Sequence, residues 1–405
     1  MARRATLPGI SESAATDRIV LHVDLDCFYA ACERLREPAL EGVPVVVGMG
    51  YEPGTTSGAV ATASYEAREY GIESAQSIER AVDTLPPARE TDEDPSAHYR
   101  PVDMSYYEAV SKEVKSVLDT NAGTTRHVSI DEAYLDVTDQ TDWRDVEAYA
   151  ADLKATIKTE IGLIASVGVA PTMHAAKVAS DHDKPDGLVV VTPGTVQEFL
   201  AELPIRELHG VGPVTASELR ADDIETIGAL AAADRTRITS AFGDRGETLH
   251  RRARGIDRRP VEPRDRPKSL SRESAFADPT DEPSALESRL RSLAEAVADR
   301  AQSRGALYRT VGIKVVEPPY DIATRERSLP GPVDDPALVT DIALALFNEF
   351  VERTIRKVGV RVSNLSFPEG DQASLDTWST TAEPTGDPTQ TTPEASRQTT
   401  LPEFF

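Results

Sequence analysis

Polar and apolar positions change period several times along this chain, and each change marks an element. Ile19–Val23 (IVLHV) is a short apolar run ending in Asp24-Leu25-Asp26, which predicts a buried strand. Phe28–Arg36 carries apolar residues at helical spacing and stops before Pro38. Val43–Val47 and the small-residue run Ser57–Ala63 predict strands. Ser64–Tyr70 predicts a helix with Gly71 in the left-handed cap position. Pro86–Pro95 is a polar, acidic loop. In Val128–Val137 (VSIDEAYLDV) apolar residues flank Asp131-Glu132 on both sides, the pattern of two strands around a tight turn. An amphipathic helix is expected over Asp145–Ile161, a strand over Ala165–Val169, a helix over Met173–Ser180 and a strand over Gly187–Val191.

From Thr195 to Gly255 the pattern becomes helical and short, centred on Leu208-His209-Gly210-Val211-Gly212-Pro213. Arg251–Arg272 follows, with nine Arg/Lys against three acids. It is broken by Pro260, Pro263 and Pro267, and reads as a basic linker. The last unit runs strand (Ser269–Phe276), helix (Ser284–Arg304), strand (Tyr308–Val316), strand (Asp321–Leu329), helix (Pro336–Ile355), strand (Lys357–Phe367). That β-α-β-β-α-β order is the ferredoxin-like one. Beyond Pro368 the chain is rich in Thr, Ser, Pro and acids, which predicts disorder, yet it closes on Leu401, Phe404 and Phe405.

The 405 residues correspond to about three ordinary domains, and 40% hydrophobic content excludes collagen-like, disulfide-scaffold and wholly disordered classes. No apolar run approaches the length of a membrane span, and Met1–Asp17 lacks the apolar segment of a secretory signal. Cys27 and Cys32 provide neither a disulfide framework nor a four-ligand zinc set, so a reducing cytoplasm is expected. The net charge of −24 argues, by itself, against a nucleic-acid partner. However, nine lysines stand against thirty-five arginines, and many acids with few lysines suit a protein hydrated in concentrated salt. Salt at 1 M cuts the Debye length to about 3 Å, so local charge outweighs net charge as a guide to partners.

Asp24 ends a strand and Asp131-Glu132 occupies a turn between strands. On spacing alone these acids are either ordinary surface residues or, if they converge, a two-cation site for in-line phosphoryl displacement. The strings VDLDCFYAACE, SGAVATASYEAR, SIDEAYLD and KVASDHDKPDG decide between them, because together and in this order they resemble the Y-family DNA polymerases of the translesion polymerase IV group. The resemblance covers residues 17 to about 367. It implies an α+β right-hand polymerase. The palm would span 17–27 and 99–191, the fingers 28–98 and a helical thumb with a helix-hairpin-helix 192–256. A basic linker (257–268), a ferredoxin-like little finger (269–367) and a disordered tail (368–405) would follow.

The resemblance also assigns roles. Asp24, Asp131 and Glu132 are expected as catalytic carboxylates holding two Mg²⁺ ions (Mn²⁺ able to substitute), with the Leu25 carbonyl completing a shell and Asp26 structural. Tyr29 corresponds to the steric gate that rejects a 2′-hydroxyl, with Phe28 beside it. Thr62 floors the nascent pair, as does Ala61. Tyr65, Arg68 and Lys184 correspond to a triphosphate clamp. One block departs from the family: Ala170-Pro171-Thr172-Met173 replaces a Ser and an Asn-Lys pair, and Lys177 is not assumed to replace that lysine. His209-Gly210-Val211-Gly212 resembles a hairpin whose free amides cup a DNA phosphate, with Pro213 at the first helical position. Arg266, Lys268 and Arg272 in the basic stretch are expected along the duplex backbone. Gln398, Leu401, Phe404 and Phe405 resemble a peptide for a PCNA-type sliding clamp.

The expected function is therefore low-fidelity, template-directed DNA synthesis past damage, without a proofreading exonuclease. The partners would be primer-template DNA, deoxynucleoside triphosphates and a clamp, with no membrane and a monomeric chain. A non-catalytic damage scaffold would lack one of the three acids, and a palm-domain nucleotide cyclase would lack thumb, little finger and clamp peptide.

Overall fold

The computed structural model describes residues 18–91 and 95–368. A five-stranded sheet is built from β1 (Val20–Leu25), β5 (Thr124–His127), β6 (Glu132–Asp136), β7 (Ala165–Ala170) and β8 (Leu188–Val190), in the order β5-β6-β1-β7-β8. β1 lies between β6 and β7, antiparallel to both. Alternation along β1 divides the chemistry. Leu21, Val23 and Leu25 enter one apolar core with the helices α1 (Phe28–Arg36), α4 (Met104–Thr120) and α5 (Val146–Glu160). Val20, His22 and Asp24 face the other side, towards α6 (Met173–His182).

One glycine sets how closely that helix approaches. A Cβ on Gly168 of β7 would lie 2.1 Å from the Ala176 carbonyl oxygen and 2.2 Å from the Ser180 nitrogen. The backbone of α6 thus rests directly on the strand, which carries its side chains over His22 and Asp24.

A second, three-stranded sheet has the order β3-β2-β4, from β2 (Val45–Met49), β3 (Ala59–Ala63) and β4 (His98–Pro101). Its core includes Val46, Val60, Ile78 and Tyr99, with α2 (Tyr65–Glu69) and α3 (Ile78–Thr84) packed on it. Short helices follow: α7 (Val196–Ala201), α8 (Pro213–Ala221), α9 (Ile227–Ala232) and α10 (Arg235–Ala253), the last interrupted at Gly243. Their apolar residues share one core with α6.

The final unit comprises β9 (Ser269–Thr280), α11 (Pro283–Gln302), β10 (Tyr308–Glu317), β11 (Asp321–Val333), α12 (Pro336–Phe347) and β12 (Ile355–Ser363). The element order is the expected one, but the strand order β11-β10-β12-β9 puts the second and fourth strands in the middle. A ferredoxin-like sheet centres its first and third strands instead. Composition explains the choice. β10 and β12 are valine-rich and buried, whereas β9 and β11 are largely exposed and take the edges.

Other boundaries differ locally. The strand expected to enter the Asp131 turn lies earlier, at β5, because Ser129 organises residues 128–131 as a turn: its Oγ accepts from the N–H groups of Asp131 (3.2 Å) and Glu132 (3.0 Å). β4, α3 and α4 were not anticipated from the pattern. No helix among the described residues is long and apolar enough to cross a membrane.

Candidate active site

Asp24 and Glu132 face one another across the β1–β6 pair, as direct Cα partners. Their oxygens and a ring nitrogen of His22 lie within 4.8 Å of one another. The Asp131 backbone carbonyl accepts from the Leu25 N–H at 3.0 Å, so the turn is fastened to the end of β1. The Asp131 carboxylate accepts from the Ser129 hydroxyl at 2.5 Å. The structure thus brings Asp24 and Glu132 together directly, with Asp131 on the adjoining turn and oriented by Ser129.

Two ammonium groups reach this cluster. Lys177 Nζ lies 2.8 Å from Asp24 Oδ2 and 3.2 Å from Asp181 Oδ1, and also pairs with Glu132 Oε1. Lys184 Nζ lies 2.5 Å from Asp24 Oδ1 and 3.0 Å from Asp181 Oδ1. Burial works against the Asp24 charge, but Lys177 and Lys184 outweigh it and hold this carboxyl well below its usual range. Burial pushes Glu132 up, to about 7, against the pull of Lys177. Asp131 is also raised, mainly by burial. The donor set is dominated by hard carboxylate oxygens and is held at the mouth of a sheet, which fits a divalent cation such as Mg²⁺.

His22 is a residue that the sequence reading missed. The Ser180 hydroxyl donates to the Lys177 carbonyl (2.8 Å), and a hydroxyl has one proton, so it accepts from His22 Nδ1–H at 2.8 Å. That leaves His22 Nε2 as a buried lone pair with no hydrogen-bond partner, 3.9 Å from Glu132 Oε1. The only signal in the sequence was its position two residues before Asp24, on the same strand face.

Of the expected nucleotide residues, Lys184 pairs with Asp24, and the others lie on the elements that follow β1 and on β3 and α2. Cys27 adopts a left-handed conformation (φ 41°), turning the chain from β1 into α1, where Phe28 is buried and Tyr29 half-buried. The Tyr65 hydroxyl donates to Asp26 Oδ1 at 3.1 Å, and Arg68 lies over the Tyr65 ring at 4.7 Å while donating to the Ala63 carbonyl. Asp26 itself is buried, accepting from Ser166 and from the Asp186 N–H, and is structural as expected. Thr62 lies half-buried on β3.

At the hairpin, Gly210 has φ +99° and Pro213 begins α8. Arg252 donates to the His209 carbonyl (3.0 Å) and Arg245 to the Gly210 carbonyl (2.8 Å). Among the described residues, neither the Gly210 nor the Gly212 N–H has a hydrogen-bond acceptor. Of the linker residues, Arg266 lies over Phe367 at 5.0 Å and donates to its carbonyl, and Lys268 is exposed. Arg272 is exposed on edge strand β9, opposite Val360, on the face shared with the core valines. The tail residues Gln398, Leu401, Phe404 and Phe405 lie outside the described residues.

Comparison with known proteins finds relatives over most of the chain. Residues 23–181 match the impB/mucB/samB family, 193–222 the IMS family HHH motif and 267–376 the impB/mucB/samB family C-terminal domain. A DNA polymerase IV of Halobacterium salinarum is 58% identical over 91% of this chain and 90% of its own. One of Methanoculleus marisnigri is 41% identical over 89% of this chain and 98% of its own. Among solved structures, a Y-family DNA polymerase chimera of Dbh and Dpo4 matches with a TM-score of 0.75 and 29% identity, over 86% of this chain and all of that one. An insertion ternary complex of Dbh DNA polymerase matches with 0.62 and 27%, at the same coverage. The motifs, the fold and these relatives agree: the chain belongs to the impB/mucB/samB family of Y-family DNA polymerases, in its DNA polymerase IV group.

Proposed function

We propose that Asp24, the Leu25 carbonyl, Asp131 and Glu132 hold two Mg²⁺ ions, with Mn²⁺ able to substitute, at the end of the five-stranded sheet. The chain is a DNA-directed DNA polymerase of the translesion class. Its substrates on this reading are primer-template DNA and deoxynucleoside triphosphates. The observation that carries the metal assignment is the β1–β6 register, which sets Asp24 directly opposite Glu132 with Asp131 on the turn between strands. Bound ions would lower the pKa of the primer 3′-hydroxyl and neutralise charge developing on the phosphates.

The remaining work falls to this chain's own groups. Tyr29 blocks the space under the incoming sugar. Tyr65, Arg68 and Lys184 grip the triphosphate. For this, Lys184 leaves Asp24, its partner at 2.5 Å. The Gly210 and Gly212 amides take a backbone phosphate, and Arg266, Lys268 and Arg272 add sequence-independent attraction. Gln398, Leu401, Phe404 and Phe405 tether the chain to a PCNA-type clamp, and a single chain suffices for activity.

Primer extension on undamaged and lesion-bearing templates, with Mg²⁺ across a salt series, tests this reading. Extension past the lesion that disappears in Asp24→Ala supports it. Undiminished extension by that variant overturns the site.

A further inference from the structure

Lys177 spends its three ammonium protons on three carboxylates: Asp24 at 2.8 Å, Asp181 at 3.2 Å and Glu132. Two of the three are the residues read above as metal ligands, and this inference rests on that reading. The site therefore already contains a fixed cation of its own. A divalent ion ligated by Asp24 and Glu132 would lie within a few ångströms of that ammonium, where like charges in a partly buried site repel strongly.

The surroundings provide a way out. Asp181 is one helical turn beyond Lys177 on α6. Both line a cavity of about 400 Å³ between α6 and the hairpin, together with Glu207 and His209. Rotation of a flexible lysine stem can move the ammonium from Asp24 and Glu132 towards Asp181 and this cavity without moving the helix. Arginine, a planar fork that suits fixed bidentate pairs, is the commoner cation in this chain.

We propose that Lys177 is a displaceable counter-cation: it neutralises Asp24 and Glu132 while the site holds no metal, and it withdraws towards Asp181 when a divalent ion binds. It is a positioning residue, keeping two facing carboxylates together that would otherwise repel. It also sets a threshold that metal binding must overcome.

The test is Mn²⁺ binding to the full chain, without DNA or nucleotide, followed by electron paramagnetic resonance of the free ion. Lys177→Met and Lys177→Gln should bind Mn²⁺ roughly tenfold more tightly than the parent, equivalent to about 1.4 kcal/mol. In EDTA both variants should melt at a lower temperature than the parent, and Mn²⁺ should raise their melting temperature by more than it raises the parent's. Because a variant could lose its fold in EDTA, the parent chain supplies a second readout. Acylation of Lys177, measured by mass spectrometry, should accelerate on Mn²⁺ addition while that of exposed Lys112 does not. Equal or weaker Mn²⁺ affinity in folded Lys177 variants, or Lys177 labelling unchanged by metal, overturns the proposal. Mn²⁺ binding that survives Asp24→Asn in the parent background would instead overturn the ligand assignment beneath it.

Discussion

The ring of Tyr107 lies stacked against that of Tyr29, with centroids 4.6 Å apart and planes 16° from parallel. Tyr107 is fully buried on α4, and its hydroxyl donates to Glu33 Oε1 at 2.7 Å. Glu33 is one helical turn after Tyr29 on α1, so the same helix that carries the proposed gate, Tyr29, also anchors the ring stacked on it.

Sugar selection should follow from this pair. Tyr29→Ala opens space without removing a charge, so it should admit ribonucleotides with little loss of deoxynucleotide use. Tyr107→Leu keeps the gate but removes its flat support, worth about 1 kcal/mol for an aromatic pair. It should relax discrimination partially, by roughly fivefold. Comparing kcat/KM for matched deoxy- and ribonucleotides measures both. Unchanged discrimination in Tyr29→Ala would place the gate elsewhere.

Replacing Asp131 and Glu132 together with Ala should abolish extension and leave DNA affinity largely intact. The change removes stabilisation of charge at the reacting phosphate but not the contacts made by amides and arginines. Extension assays and fluorescence anisotropy on one labelled primer-template separate the two effects.

Metal affinity should depend on pH through Glu132. Its folded pKa, raised to about 7 by burial, exceeds its value of 4.5 as a free side chain. The folded state therefore holds the extra proton, and this group's contribution to stability declines as pH rises from about 4.5 through 7. A bound cation needs the ionised form, so binding below pH 7 releases a proton. Mn²⁺ affinity should rise by up to about tenfold per pH unit below 7 and level off above it. Glu132→Gln should flatten the profile; a parent profile flat from pH 5.5 to 8 would contradict the assignment.

Gly168→Ala should destabilise the protein by about 1–3 kcal/mol or more, since the added methyl meets the α6 backbone and not a flexible side chain. Because α6 carries Lys177 and Ser180 over Asp24 and His22, activity should fall at temperatures where the variant remains folded. Thermal melts and extension rates at 25 °C check the two parts.

Deleting Gln398–Phe405 should spare distributive synthesis and remove stimulation by a PCNA-type clamp. Every catalytic and DNA-binding residue proposed here precedes this segment. The tail would act by making rebinding to the primer end intramolecular. Its apolar anchors should keep working in salt that weakens phosphate contacts. Titrating clamp against full-length and truncated chains at low and high salt measures this, and equal stimulation would move the tether elsewhere.

Local pattern alone determined much of this molecule. α1 occupies Phe28–Arg36 as its spacing and Pro38 dictate, the Gly71 cap has φ +81°, and Pro213 opens α8. These depend on near neighbours, and neighbours are legible in a string. The expectation that Asp24, Asp131, Glu132, Tyr29, Tyr65 and Lys184 act together came instead from the resemblance of the motif blocks to a known family. α4 was also within reach, since Tyr107, Val110, Val114 and Leu118 repeat at helical spacing. What no local pattern could decide was which residues meet across strands and layers. Lys177 reads as an ordinary helix-face lysine, and His22 as an interruption in an apolar strand. Only the β1–β6–β7 register, and the close approach of α6 that Gly168 permits, set that ammonium among Asp24, Glu132 and Asp181. Contacts between residues 153 positions apart are fixed by packing and pairing in three dimensions, which sequence spacing does not encode.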